Sequence, residues 1–79
     1  MLKEYLRQYR IKHNLTQVEM AKKLDTAQGY YSQIETGDKK PGFTMVRRLA
    51  SVLNVSEDFI RSLLWFTQIS KTYPGNSKI

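Results

Sequence analysis

Apolar residues recur along this chain every three to four positions and nowhere in strict alternation, so the pattern predicts helices and no strand. The first helix is expected from Leu2 to His13, with Leu2, Leu6 and Tyr9 on one face and Lys3, Arg7 and Lys12 mostly outside. Asn14 follows where a helix stops on a left-handed residue, and Asn is the usual substitute for Gly there. The second helix begins at Thr16, because Thr16-x-x-Glu19 reads as a capping box. Val18 or Met20, with Ala21 and Leu24, supplies its apolar face, and the small Ala21 lets a neighbouring helix approach closely. A third helix runs from about Thr26 to Thr36, with Tyr30, Tyr31 and Ile34 inward and Gly37 as its stop. After a loop dense in turn residues and positive charge, the fourth runs from Thr44 to Leu53, burying Met45 or Val46, Leu49, Ala50 and Leu53 and leaving Arg47 and Arg48 outside. Asn54 repeats the Asn stop. Ser56 caps a fifth helix expected from Glu57 to about Lys71, with Glu57 and Asp58 at its positive end. Residues 1–72 thus form one domain with an extended C-terminal helix, and 73–79 read as a flexible tail.

Within this pattern, Leu15 to Gly37 holds two short helices separated by only a few residues. Helices joined so tightly cross at a steep angle, the geometry of a helix-turn-helix. In such a unit the second helix can enter the major groove of DNA while the first lies across the backbone. At 100° per residue, positions 28, 29, 32, 33 and 36 share one side of helix three. Gln28, Ser32, Gln33 and Thr36 are therefore candidate base-reading residues. A primary amide matches the N6 and N7 edge of adenine in a bidentate way, which puts Gln28 and Gln33 first. Ser32 has a second reading, packing at the helix crossing, and Thr36 has one as a residue facing water or a phosphate. Thr16, as cap of helix two, is a candidate phosphate contact through backbone donors. Lys39 and Lys40 are candidates for the same role, against the alternative of a solvated turn.

Charge points the same way. Thirteen Lys and Arg against seven Asp and Glu give a formal net charge of +6 on 79 residues, which favours an anionic partner, nucleic acid ahead of a membrane surface or an acidic protein. A chain of this length is one small domain near the lower limit for folding without staples. It has no Cys, hence no disulfide and no thiolate metal site, and a reducing cytoplasmic setting is expected. The longest apolar run, Leu63 to Phe66, is far too short to span a bilayer, and the N-terminus is too polar for a signal peptide. An enzyme fails on inventory: one His, His13, no Cys and no phosphate-cradling Gly loop. No cofactor or metal is expected.

Several motifs stand at fixed spacing between Leu6 and Ile60. They are Leu6 and Arg10, Leu15-Thr16-Gln17, Met20-Ala21-x-x-Leu24, Tyr31-Ser32-Gln33-Ile34-Glu35-x-Gly37, Pro41, Leu49-Ala50-x-x-Leu53 and Val55-Ser56. Together they resemble the lambdoid-repressor type of helix-turn-helix, the XRE or Cro/CI family. The resemblance implies an all-α, compact five-helix bundle that binds operator DNA as a symmetric dimer. It implies that Gln17 contacts a phosphate or holds the first reading Gln in place, and that Gln28 and Gln33 occupy base-reading positions. It further implies that Lys39 and Lys40 sit in a backbone-gripping loop, and that Arg10 and Glu35 form a mostly buried ion pair tying helix one to the recognition helix. The chain departs from the pattern at Asp25 in place of Gly in the turn, Ala27 in place of a Ser or Thr cap, Gly29 inside the recognition helix, and Tyr31 in place of a smaller aliphatic residue. An Ala cap costs ~1 kcal/mol unless Asp25 or Thr26 caps instead.

Helix five is apolar nearly all round. Phe59, Ile60, Leu63 and Leu64 form one face, while Trp65 and Ile69 project to another, with Phe66 between. Trp65, Phe66 and Ile69 are therefore expected at a homodimer interface, the alternative being that they extend the monomer core. The expected function is a phage- or plasmid-like transcriptional repressor on a palindromic operator with half-sites ~34–36 Å apart. With no sensor domain, its activity would be set by concentration, dimerisation or a regulatory partner protein. Alternatives are an antitoxin that represses its own operon, or a protein-interaction module on the same fold.

Overall fold

Residues 1–65 are described by the computed structural model, and every regular element among them is a helix. α1 spans Leu2–Lys12, α2 Gln17–Lys23, α3 Gln28–Thr36 and α4 Phe43–Leu53. α5 occupies residues 57–65, up to the edge of the described part. Phe66, Ile69, the predicted run to Lys71 and the tail 73–79 lie outside the described residues.

Three helices stop by one device. After α1, Asn14 is left-handed at φ 56°, Asn14 N donates to the Ile11 carbonyl and Leu15 N to the Arg10 carbonyl. After α2, Asp25 is left-handed at φ 54°, Asp25 N donates to Lys22 O and Thr26 N to Ala21 O. After α4, Asn54 at φ 59° repeats the pair through Ser51 and Ala50. These are Schellman motifs, which satisfy carbonyls that a helix end leaves orphaned. Short polar side chains tolerate this conformation where other L-residues do not. Gly37 at φ 89° ends α3.

The helix starts differ more. α2 opens on a complete capping box: Thr16 Oγ1 accepts from Glu19 N at 3.1 Å, and Thr16 N donates to Glu19 Oε1 at 2.8 Å. At α5, Ser56 Oγ accepts from Phe59 N at 3.0 Å. α3 has no side-chain cap. It also starts at Gln28 and not at Thr26: Thr26 N is committed to ending α2, and Ala27 is extended at φ −73°, ψ 145°. Neither Asp25 nor Thr26 replaces the missing cap. α4 starts at Phe43, one residue earlier than the pattern predicts, behind Gly42.

One core joins all five helices. Leu6, Met20, Leu24, Tyr31, Leu49 and Ile60 are its largest fully buried side chains. On α2 it takes Met20, leaving Val18 exposed, and on α4 it takes both Met45 and Val46. Tyr30 is only half buried, at the edge of the core. α1 is seated on the C-terminal half of the bundle by Tyr9, whose hydroxyl donates to the Val52 carbonyl at 3.2 Å, and by Tyr5, edge-on to Phe59 at 5.4 Å. No helix of the described residues is long and apolar enough to cross a membrane.

Candidate nucleic-acid interface

The tight α2–α3 connection turns α3 so that one side is bolted to the bundle and the other faces solvent. Tyr31, Ile34 and Glu35 are buried, while Gln28, Gly29, Gln33 and Thr36 are exposed and Ser32 is half buried.

The bolt is a charge network. Arg10 reaches from α1 and grips Glu35 with two bonds, Nε to Oε2 at 2.8 Å and Nη2 to Oε1 at 3.2 Å. Its Nη1 donates to the Leu15 carbonyl at 3.0 Å, tying down the α1–α2 connection as well. Tyr31 adds its hydroxyl to Glu35 Oε2 at 2.6 Å, and Gln17 adds its amide N–H to Oε1 at 2.8 Å. Glu35 thus receives four hydrogen bonds from three side chains. Burial alone would raise its carboxyl, but the donors Arg10, Tyr31 and Gln17 outweigh it and hold Glu35 below the usual carboxylate range. Burial, then the adjacent Glu35 charge, pushes the Tyr31 phenol far above its ordinary value, so it acts as a donor only. The bond to Glu35 raises Arg10 further, keeping it charged. Among the described residues, no buried side-chain nitrogen or oxygen lacks a partner.

Gln17 links this network to the outer side. Its amide oxygen accepts from Gln28 Nε2 at 3.5 Å, long for a hydrogen bond but enough to bias the Gln28 side chain. One amide N–H of Gln17 meets no partner among the described residues, and the rest of its amide is engaged with Glu35 and Gln28. The Thr16 backbone N–H is spent in the capping box, where the Thr16 hydroxyl serves as acceptor and keeps its O–H as a donor. The Thr36 hydroxyl donates back to the Gln33 carbonyl at 3.2 Å, so toward an outside ligand it has lone pairs to offer. Gln28 and Gln33 come out on the same exposed side. Lys39 and Lys40 lie exposed in the loop after α3, and Lys39 N donates to the Gln33 carbonyl at 3.1 Å, fixing that loop to the helix end.

Two residues stand apart from the sequence expectation. Arg48, read as an outward charge, leans onto the α2–α3 turn and donates to the Leu24 carbonyl at 3.3 Å and the Asp25 carbonyl at 3.0 Å. It therefore steadies the left-handed turn that sets the angle of α3. Position at the border of the α4 apolar stripe is the only sequence signal for this, since long basic side chains often lie along such borders. Phe43 stands in solvent, 80 % exposed, beside Thr26, Tyr30 and Arg48. Trp65, at the end of the described part of α5, is 62 % exposed.

α3 is thus fastened on one side and presents amides on the other, beside a basic loop. No curated protein and no solved structure matches the chain. The helix-turn-helix family model matches residues 6–60, from α1 into α5. The chain belongs to this family, as a lambdoid-repressor-like, XRE-type helix-turn-helix protein, and so to the DNA-binding transcription regulators.

Proposed function

We propose that the protein is a repressor that binds a palindromic operator as a homodimer, with α3 in the major groove. Gln28 and Gln33 read bases there, each amide pairing with one base edge. Ser32 and Thr36 flank them, closer to the helix crossing and to the backbone respectively. Lys39, Lys40 and the remaining N–H of Gln17 take phosphates. Thr16 takes one through the start of α2, not through its own committed N–H. The observation that carries this reading is the exposure of both amides on a helix whose opposite side is fixed by Arg10, Tyr31 and Glu35. A reading helix held rigidly delivers base contacts without first losing backbone freedom.

Dimerisation through α5 supplies the two-fold symmetry a palindrome requires. Trp65 is the described part of that surface, a large apolar side chain open to solvent. Phe66 and Ile69 belong to the same proposal. A regulatory partner protein acting on the dimer is compatible with a chain of this length.

Selection of bound sequences from a random DNA pool tests the reading. The expected result is a two-fold symmetric consensus with half-sites one helical turn apart, ~34–36 Å between centres. Recovery of no consensus would contradict sequence-specific binding, and an asymmetric one would contradict the homodimer.

A further inference from the structure

Beside α3 runs an open groove whose walls come from α1 and from the ends of α2 and α3. Lys3, Arg7, Gln17 and Thr36 line it, with Glu4 at its edge and the Arg10–Glu35 pair at its floor. Its charges are unequal in availability. Arg10 is neutralised by Glu35 at 2.8 Å, and Glu4 by the N-terminal ammonium at 3.1 Å. Lys3 and Arg7 are exposed, and neither has an ion-pair partner among the described residues. They lie one turn apart on α1, on the same side of that helix. Lys3 is also seated: its stem crosses the end of α3, where a β-carbon on Gly37 would stand 3.4 Å from Lys3 Cδ.

We infer that this groove is a phosphate-binding site and that α1 forms part of the DNA interface, with Lys3 and Arg7 clamping a backbone phosphate of the duplex that α3 enters. Charge and position both require it. Two unpaired cations over a polar floor draw an anion into a cleft, where the low-dielectric walls focus their field. The groove is continuous with the outer side of α3, because Thr36 belongs to both and Gln17, in the groove wall, meets Gln28 on that side. A duplex lying along α3 brings its backbone past this opening. Gln17, at the start of α2, then faces the same phosphate with its remaining amide N–H, while the Thr36 hydroxyl, spent as a donor on the Gln33 carbonyl, only borders it. The inference goes beyond the base-reading proposal and depends only on the protein binding DNA.

A structural role for Lys3 makes a different prediction, since its ammonium also suits the negative end of the α3 dipole. The double variant Lys3→Met/Arg7→Gln separates the two, because Met keeps the aliphatic stem over Gly37. Its affinity for DNA is measured against salt concentration, alongside its melting temperature and an Arg47→Gln control. Arg47 points away, toward Glu57 at 3.9 Å. The double variant is expected to melt like the parent and to flatten the plot of log affinity against log salt by about one unit. At 0.15 M salt that is roughly a fivefold loss if the contact vanishes at 1 M, equal on operator and unrelated DNA. Arg47→Gln leaves the slope unchanged, and Glu4→Gln tightens binding by freeing the N-terminal ammonium that Glu4 neutralises beside the groove. An unchanged slope in the double variant overturns the inference, as does weaker binding by Glu4→Gln. A parent protein with no salt-dependent affinity for any DNA would overturn the DNA-binding function itself, a separate outcome.

Discussion

On its inner side α3 buries Tyr31, Ile34 and Glu35, and each polar atom there meets a partner from α1, α2 or α3 itself. On its outer side the same helix exposes Gln28, Gly29 and Gln33, begins without a cap, and carries a residue with no side chain in its first turn. The contrast shows which of nine residues carry the fold and which stay open to a partner. Inner positions are chosen for complementarity to fixed neighbours. Outer positions touch the fold only through the long Gln17–Gln28 contact, and some lower helix stability. Gly in a helix costs about 1 kcal/mol relative to Ala, and the absent cap a similar amount.

The largest effect should come from breaking the inner side. Arg10→Ala strands the Glu35 carboxylate in the core and is expected to cost ~3–5 kcal/mol of unfolding free energy. Urea unfolding measures it, and a loss below about 1 kcal/mol would mean that the pair does not hold the helix.

Acid probes the same site without mutation. Glu35 has a lower pKa folded than its ordinary value of 4.5, so over the acid range the unfolded chain binds more protons than the native one. The stability it contributes is therefore fully present above that ordinary value and is lost as pH falls through the folded one. Melting temperature followed into acid should drop more steeply in the parent than in Glu35→Gln, whose curve starts lower at neutral pH. Parallel curves would show that Glu35 contributes nothing to the pH dependence.

A smaller and opposite effect is expected on the outer side. A β-carbon at Gly29 meets nothing within 4 Å, so Gly29→Ala should raise stability by about 1 kcal/mol. A destabilised variant would show that the outer side is not free of the fold.

Much of this contrast could be read from the chain because it rests on local chemistry. The left-handed stops at Asn14 and Asn54, the Thr16–Glu19 box and the Ser56 cap each involve residues a few positions apart, where type and spacing determine geometry. Leu49, Ala50 and Leu53 fall on the buried stripe that periodicity assigns to α4. Periodicity failed where distant segments meet. It placed the start of α3 at Thr26, because the competition of Thr26 N for the Ala21 carbonyl belongs to the folded turn. It put Arg48 in solvent, since nothing near Arg48 in sequence announces the Leu24 and Asp25 carbonyls, 24 and 23 residues away. The resemblance paired Arg10 with Glu35 but gave no role to the Tyr31 hydroxyl, which appears only when α3 is wound and Glu35 is one turn on. The Lys3–Arg7 groove was equally invisible, because both residues read as ordinary outward charges until α1 is laid beside the end of α3.

The central claim is that the outer side of α3 reads bases while the inner side carries the fold, and Gln33→Ala on a selected operator tests it most directly. Gln33 is exposed and its side chain has no partner among the described residues, so the variant should fold as the parent does. Competition binding against operators changed one base pair at a time is expected to lose ~1–3 kcal/mol of discrimination at one position per half-site, with all other positions unchanged. Equal weakening on every sequence, with the preference intact, would contradict it.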